Sequence, residues 1–176
     1  MPRPATEPSD QELLPAYVQY VQRIREQLDF LDGDTLDTQM IVMGAIRLGH
    51  IATTQADRLV LRPLGLTFSR FRLLFAISTI GPMTSVELAD CFDNTKPTIA
   101  KLLESLEALE LITRSPHPSD GRAAIIQNTP KGERLLGEAL TQQRVFERQF
   151  FGHLTREERG QLADLLSRAI ADPTDP

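Results

Sequence analysis

Only one cysteine, Cys91, stands in the 176 residues, so no intrachain disulfide can staple this chain and its stability must come from an apolar core. Long apolar runs are missing as well. None approaches the roughly 20 residues that a membrane-spanning helix needs, and the start of the chain lacks a charged-then-apolar signal segment. The expectation is a soluble, cytoplasmic protein with no membrane partner. Signatures of chemistry are equally scarce: no Cys/His pair has metal-ligand spacing, and His50, His117 and His153 stand apart from one another. Neither a phosphate-cradling glycine loop nor a Gly-x-Ser-x-Gly nucleophile elbow occurs. These absences point away from an enzyme and from a bound cofactor or metal. Cys91 itself, beside Phe92 and without a neighbouring cation, reads as a small buried hydrophobe rather than a redox-sensing thiolate.

What is present is unevenly distributed charge. The formal net charge of −5 already arises within residues 1–40, where Arg3, Arg23 and Arg25 face eight acids, and the rest of the chain is neutral. Between residues 41 and 86, Arg47, Arg58, Arg62, Arg70 and Arg72 are opposed only by Asp57. Such a stretch supplies either a phosphate-binding face or a set of solvated helix surfaces; placement, not the total, decides.

Periodicity divides the chain. Residues 1–8 hold three prolines and read as a loose tail. Ser9-Asp10-Gln11-Glu12 is a capping box, and apolar residues then recur at helical spacing from Leu13 to Leu31. Asp32-Gly33-Asp34 breaks that helix. A second begins near Asp34 and runs to about Leu61, where Pro63 and Gly65 close it. A third starts after Leu66-Thr67 and ends near Gly81-Pro82. Thr84-Ser85-Val86-Glu87 is another capping box, opening a short helix. Asp93-Asn94-Thr95-Lys96-Pro97 gathers cap residues before a proline tolerated only in a first turn. From there Ile99, Leu102, Leu103, Leu106 and Leu109 form an apolar stripe, and Thr95, Lys96, Thr98, Lys101 and Ser105 take the opposite side. Two strand candidates follow, Leu111–Arg114 and Ala123–Gln127, joined by a Pro- and Asp-Gly-containing loop. Thr129-Pro130 opens a helix reaching about Phe151, and Thr155–Glu158 caps a last one ending in a frayed 172–176.

Helix, turn, helix, hairpin is the order of a winged helix. Thr84–Leu88, the Thr98–Leu109 helix, Leu111-Ile112-Thr113-Arg114, Asp120-Gly121-Arg122 and Asn128-Thr129-Pro130-Lys131-Gly132 resemble the motifs of MarR-type transcriptional regulators. The resemblance covers roughly residues 36–170, and the Asp-x-Arg wing followed by Thr-x-x-Gly is its most specific part. It implies a mainly α, α+β fold: a winged helix-turn-helix with a two-strand wing, framed by long N- and C-terminal dimerisation helices. The expected organisation is N-terminal helices over 9–62, a DNA-binding lobe over 63–128 and C-terminal dimerisation helices over 129–171.

The expected partner is double-stranded DNA. The N-terminal turns of the second motif helix reach base edges in the major groove, which assigns contact to Thr95, Lys96, Pro97, Thr98, Lys101 and Ser105. The wing brings Arg114, His117, Ser119 and Arg122 to the backbone or minor groove, and the resemblance gives Asp120 the task of holding its geometry. Apolar stripes near both termini need covering, either on one monomeric core or in a homodimer; the dimer places two reading helices about 34 Å apart on a palindromic site. The resemblance also implies a small aromatic or anionic effector, with Met40, Met43, Ile46, His50 and Phe75 as lining and Arg47 or Arg72 as anion partner. Gly44 and Gly49 in the same helix equally fit an ordinary core. One position departs from the family pattern: Glu110 stands where a helix-ending glycine is usual. A left-handed residue there costs about 1 kcal/mol without glycine, so the helix is expected to end differently and tilt the wing. Glu104, Glu107 and Glu110 support a rival reading, a winged-helix module that binds protein and not DNA.

Overall fold

The computed structural model describes residues 19–21, 23, 24, 26, 33–92, 94–117 and 123–171. The chain divides into two compact units, residues 1–54 and 55–176. The Ser9–Glu12 capping box and both tails lie outside the described residues, and of the first expected helix only helical backbone between residues 19 and 26 is described.

The helix α1, Gly33–Ala56, whose residues up to Thr54 belong to the first unit, begins at the expected Asp-Gly break and exposes Ile41, Val42, Met43 and Ile46. Beyond Ala56 the helical path continues to Leu61 as expected, but its pitch changes. Asp57–Leu61 is a π turn and Arg62–Leu64 a 3-10 turn, stopped by Gly65 in the left-handed region at φ 74°. Asp57 explains part of this geometry: its Oδ1 accepts the Phe68 N–H at 2.8 Å while Oδ2 accepts Arg62 Nε at 2.7 Å, so one carboxylate ties the end of the long helix to the start of the next.

That next helix, α2 (Phe68–Ile80), is capped by Thr67 and buries Phe71, Leu73, Leu74, Ala76 and Ile77. A two-residue strand β1 (Met83–Thr84) leads into α3 (Ser85–Cys91), whose capping box forms as expected: Glu87 accepts the Thr84 N–H at 2.7 Å and Thr84 Oγ1 accepts the Glu87 N–H at 3.3 Å. Helix α4 (Lys96–Ala108) follows, then β2 (Ile112–Pro116), β3 (Ala124–Asn128), α5 (Pro130–Phe150) and α6 (Arg156–Ala171). The sheet is antiparallel in the order β1-β3-β2, with Arg114 opposite Ile126 and Met83 opposite the same residue on the other edge. The third strand was not expected, because two residues carry no alternation to read.

One core joins the elements from α2 to α5. Leu61, Leu66, Leu74, Leu88, Ile99, Leu103, Leu106, Ile112, Ile126 and Leu136 are almost wholly inaccessible to solvent. Along α5 the buried stripe is Gly132, Leu136, Ala139, Gln143 and Phe146, so this helix packs into the winged-helix core instead of standing apart from it. Asn128 fastens the end of β3, donating to the Leu74 carbonyl of α2 at 2.9 Å and to Glu133 of α5 at 2.7 Å. Cys91 departs from expectation: it is exposed. The buried side of short α3 is Leu88 and Ala89, continued by half-buried Phe92, and Cys91 falls beside that stripe. Among the described residues no helix is long and apolar enough to cross a membrane, and no cluster of His, Cys, Asp and Glu could hold a metal.

Candidate nucleic-acid interface

Helix α4 is amphipathic in the expected sense. Ile99, Leu103 and Leu106 are buried, and Thr95, Lys96, Pro97, Thr98 and Lys101 are exposed together at its amino end. Thr95 is the N-cap, yet its hydroxyl meets the Thr98 hydroxyl at 2.8 Å and not a backbone N–H. Asn94 shapes the preceding turn, its N–H bonded to the Ala89 carbonyl and its amide to that of Phe92, both at 3.0 Å. Among the described residues neither Lys96 nor Lys101 pairs with a carboxylate. Both cations face water at the helix end that already carries positive partial charge.

The remaining assigned residues are engaged differently. Ser105 is half-buried, accepts from Arg70 Nε at 3.0 Å and donates to the Leu102 carbonyl at 2.7 Å, which fixes α2 against α4. Arg114 pairs with Glu107 at 3.0 Å and joins β2 to α4. His117 is half-buried at the base of the wing, its N–H on the Ala123 carbonyl at 3.2 Å. It lies near enough to Glu87 to help hold that carboxyl below its usual range, after the larger effects of the Thr84 N–H and hydroxyl. Ser119, Asp120 and Arg122 lie outside the described residues.

The end of α4 corrects one expectation. Glu110 keeps the left-handed backbone, at φ 59°, and the helix closes as a glycine would close it. Its N–H bonds to the Glu107 carbonyl at 2.8 Å and the Leu111 N–H to that of Leu106 at 2.9 Å, the paired bonds of a Schellman end, with Leu106 and Leu111 both buried. Compensation comes from the start of α5. Thr129 Oγ1 donates to the Glu110 carbonyl at 2.7 Å, and Lys131 Nζ reaches the Leu109 carbonyl at 2.9 Å and the Glu110 carboxylate at 3.0 Å. A Cβ on Gly132 would collide with the Leu111 carbonyl, so the glycine allows the two chain segments to touch. The sequence marks Thr129, Lys131 and Gly132 as one motif and Arg70 as part of a basic stretch, but it does not show the partners of Lys131 and Arg70, 21 and 35 positions away.

Of the residues expected at an effector, Met43 and His50 are exposed and Arg47 half-buried on α1 in the first unit, while Arg72 and Phe75 belong to the second. Phe75 stacks on Phe71 with centroids 6.2 Å apart, and the Arg72 guanidinium lies 4.4 Å from the centre of the Phe92 ring.

Comparison with known proteins fits this geometry. The model of the MarR family matches residues 64–123. An uncharacterized HTH-type transcriptional regulator of Bacillus cereus is 32% identical over 117 residues, 66% of this chain and 78% of that protein. The multiple antibiotic resistance protein MarR of Salmonella typhimurium is 31% identical over 100 residues, 55% of this chain and 68% of the relative. A solved structure of a cysteine-to-serine mutant of MarR from E. coli, complexed with operator DNA, shares the fold at a TM-score of 0.64 and 24% identity, covering 74% of this chain and 96% of that one. With helix-turn-helix, wing and core all in place, the chain belongs to the MarR family of transcriptional regulators.

Proposed function

We propose that this regulator is a homodimer that binds palindromic promoter sites in double-stranded DNA and acts as a repressor. Its α4 enters the major groove, with Lys96, Thr98 and Lys101 at base edges and Thr95 and Pro97 against the groove wall. The wing, with His117, Ser119 and Arg122, follows the adjacent backbone or minor groove, and Asp120 holds its shape. One observation carries this reading. Among the described residues, the exposed cations at the amino end of α4 have no acidic partners, whereas acids at its other end are taken up by structural pairs, Glu107 with Arg114 and Glu110 with Lys131. Repulsion between acids and phosphate, the best argument for a protein-binding module, is thereby reduced to Glu104.

A second copy is supported by apolar side chains left in water. In the second unit Val145, Leu165, Leu166 and Ile170 are exposed, and in the first Ile41, Val42 and Ile46. Helices that carry such stripes gain by burying them, and a two-fold axis would set two reading helices about one DNA turn apart. The operator-bound E. coli protein of the same fold supports the docking mode. We also infer that a small aromatic or anionic effector adjusts occupancy, with exposed Met43 and His50 of α1 as apolar or stacking surfaces and Arg47 of the same helix as an anion partner; such a ligand must bind the DNA-competent and incompetent states unequally.

Selection from a random duplex pool, followed by mobility-shift titration at fixed salt, tests the proposal. The expected product is a palindrome with half-sites about one helical turn apart. Absence of any enriched sequence, with no affinity for duplex at low salt, would favour the protein-binding module.

A further inference from the structure

We propose that Arg72, together with Ser69, Asn94 and Thr98, forms a clamp for one backbone phosphate of the bound DNA, on the side of α4 away from the wing; the proposal rests on the DNA-binding reading above. These four residues rim a notch of about 50 Å³ between α2 and the amino end of α4, floored by Phe92 and Ile99. A notch of this size suits a small group such as the oxygens of a phosphodiester.

The posture of the arginine supports the same assignment. Its guanidinium carbon lies over the Phe92 ring, 4.4 Å from the ring centre, a cation–π contact that restrains the group at the notch. A guanidinium held there can donate two N–H groups to phosphate oxygens. Four of the other cations are already engaged: Arg62 by Asp57, Arg70 by Ser105, Arg114 by Glu107 and Lys131 by Glu110. Among the described residues no carboxylate pairs with Arg72, which is exposed beside Ser69, Asn94 and Thr98. Thr98 is shared between this notch and the base-reading face, so a phosphate here would lie at the groove edge when α4 is inserted. Backbone contacts of this kind fix register and supply affinity without reading sequence.

The test uses the full chain and a duplex carrying the selected site, titrated at several salt concentrations. Arg72→Ala is expected to weaken binding about tenfold and to reduce the slope of log K against log salt by about 0.9, equally on operator variants. A single methylphosphonate at the contacted position is expected to weaken wild type more than it weakens Arg72→Ala. Phe92→Leu keeps the charge, so it is expected to lower affinity while preserving the slope. Arg72→Gln, with thermal melting as a folding control, replaces the alanine variant if that one unfolds. A wild-type slope in both Arg72 variants overturns the clamp while leaving DNA binding intact. Failure of wild type to bind any duplex overturns both.

Discussion

Lys131 in the first turn of α5 reaches back to Glu110 beyond the end of α4, with its Nζ 3.0 Å from the carboxylate and 2.9 Å from the neighbouring Leu109 carbonyl. The ammonium thus serves two purposes. It neutralises the acid that occupies a left-handed position, and it supplies a donor to a carbonyl at the negative end of the recognition helix. Since the side chains of Lys131 and Glu110 are 53% and 81% exposed, the ion pair itself contributes only about 0–1 kcal/mol. The backbone cost at φ 59° is of similar size, so it is only partly offset.

Glu110→Gly and Glu110→Ala therefore separate the two effects. Both lose the ion pair, but only glycine relieves the left-handed backbone. Urea denaturation is expected to find the glycine variant more stable than the alanine variant by about 1 kcal/mol. Equal stabilities would mean that this turn carries no strain.

Gly132→Ala is expected to do more damage than its size suggests. The added methyl meets the Leu111 carbonyl, a backbone group held by the Thr129 N–H at 2.9 Å, and neither side can rotate away. Separation of α5 from the end of α4 is the remaining response. A loss of about 1–3 kcal/mol by urea titration is expected, together with weaker DNA binding, because the recognition helix is fastened at that end. Unchanged stability would show that the two segments move apart freely.

These two residues also show where reading the sequence succeeds and where it stops. Thr129-x-x-Gly132 was legible as a motif, and the capping boxes at Thr84 and Thr155 and the apolar stripe of α4 were legible as local chemistry. Each depends on neighbours within about four positions. The left-handed Glu110 was misread because its support comes from Thr129 and Lys131, about twenty residues later. The π turn at Asp57 and the Arg70–Ser105 bond depend on tertiary partners in the same way. In the candidate site, the polar face of α4 could be read directly. Which cations remain available to DNA could not, since pairing across elements decides it.

Lys101→Ala tests that availability. Lys101 is exposed on the reading face, and Ala has the higher helix propensity, so thermal stability is expected to stay within about 0.5 kcal/mol of wild type. Affinity for the selected site is expected to fall by about 1–3 kcal/mol, with relaxed preference at one base pair in each half-site. A uniform loss over all sequences would instead place this lysine on phosphate.

Acid provides a different probe. The Glu87 and Glu158 carboxyls are held below their ordinary 4.5, chiefly by the backbone N–H of Thr84 and Thr155 and then by the hydroxyls of the same residues. Because folding lowers both values, their stabilising contribution is complete above pH 4.5 and is lost as pH falls through the folded-state values. The double variant Glu87→Gln, Glu158→Gln is expected to have a lower urea midpoint than wild type at pH 7 and to converge on it in acid. A gap that persists at pH 2 would assign the difference to shape and not to charge.

The exposed ends of α5 and α6 allow the dimer to be tested independently of DNA. Leu166 is 38% and Ile170 74% exposed, four positions apart on α6, with Leu165 beside them. If a second copy covers this face, Leu166→Glu with Ile170→Glu places two carboxylates in an apolar interface, where burial without partners costs several kcal/mol. Sedimentation is then expected to show monomer where wild type is dimeric. The winged-helix core, to which neither residue contributes, is expected to keep its helical circular dichroism and a cooperative melt. Loss of DNA affinity should accompany the loss of mass, because one half-site binds far more weakly than two linked ones. A variant that stays dimeric would move the interface elsewhere, with the exposed Ile41, Val42 and Ile46 of the first unit as the next surface to change.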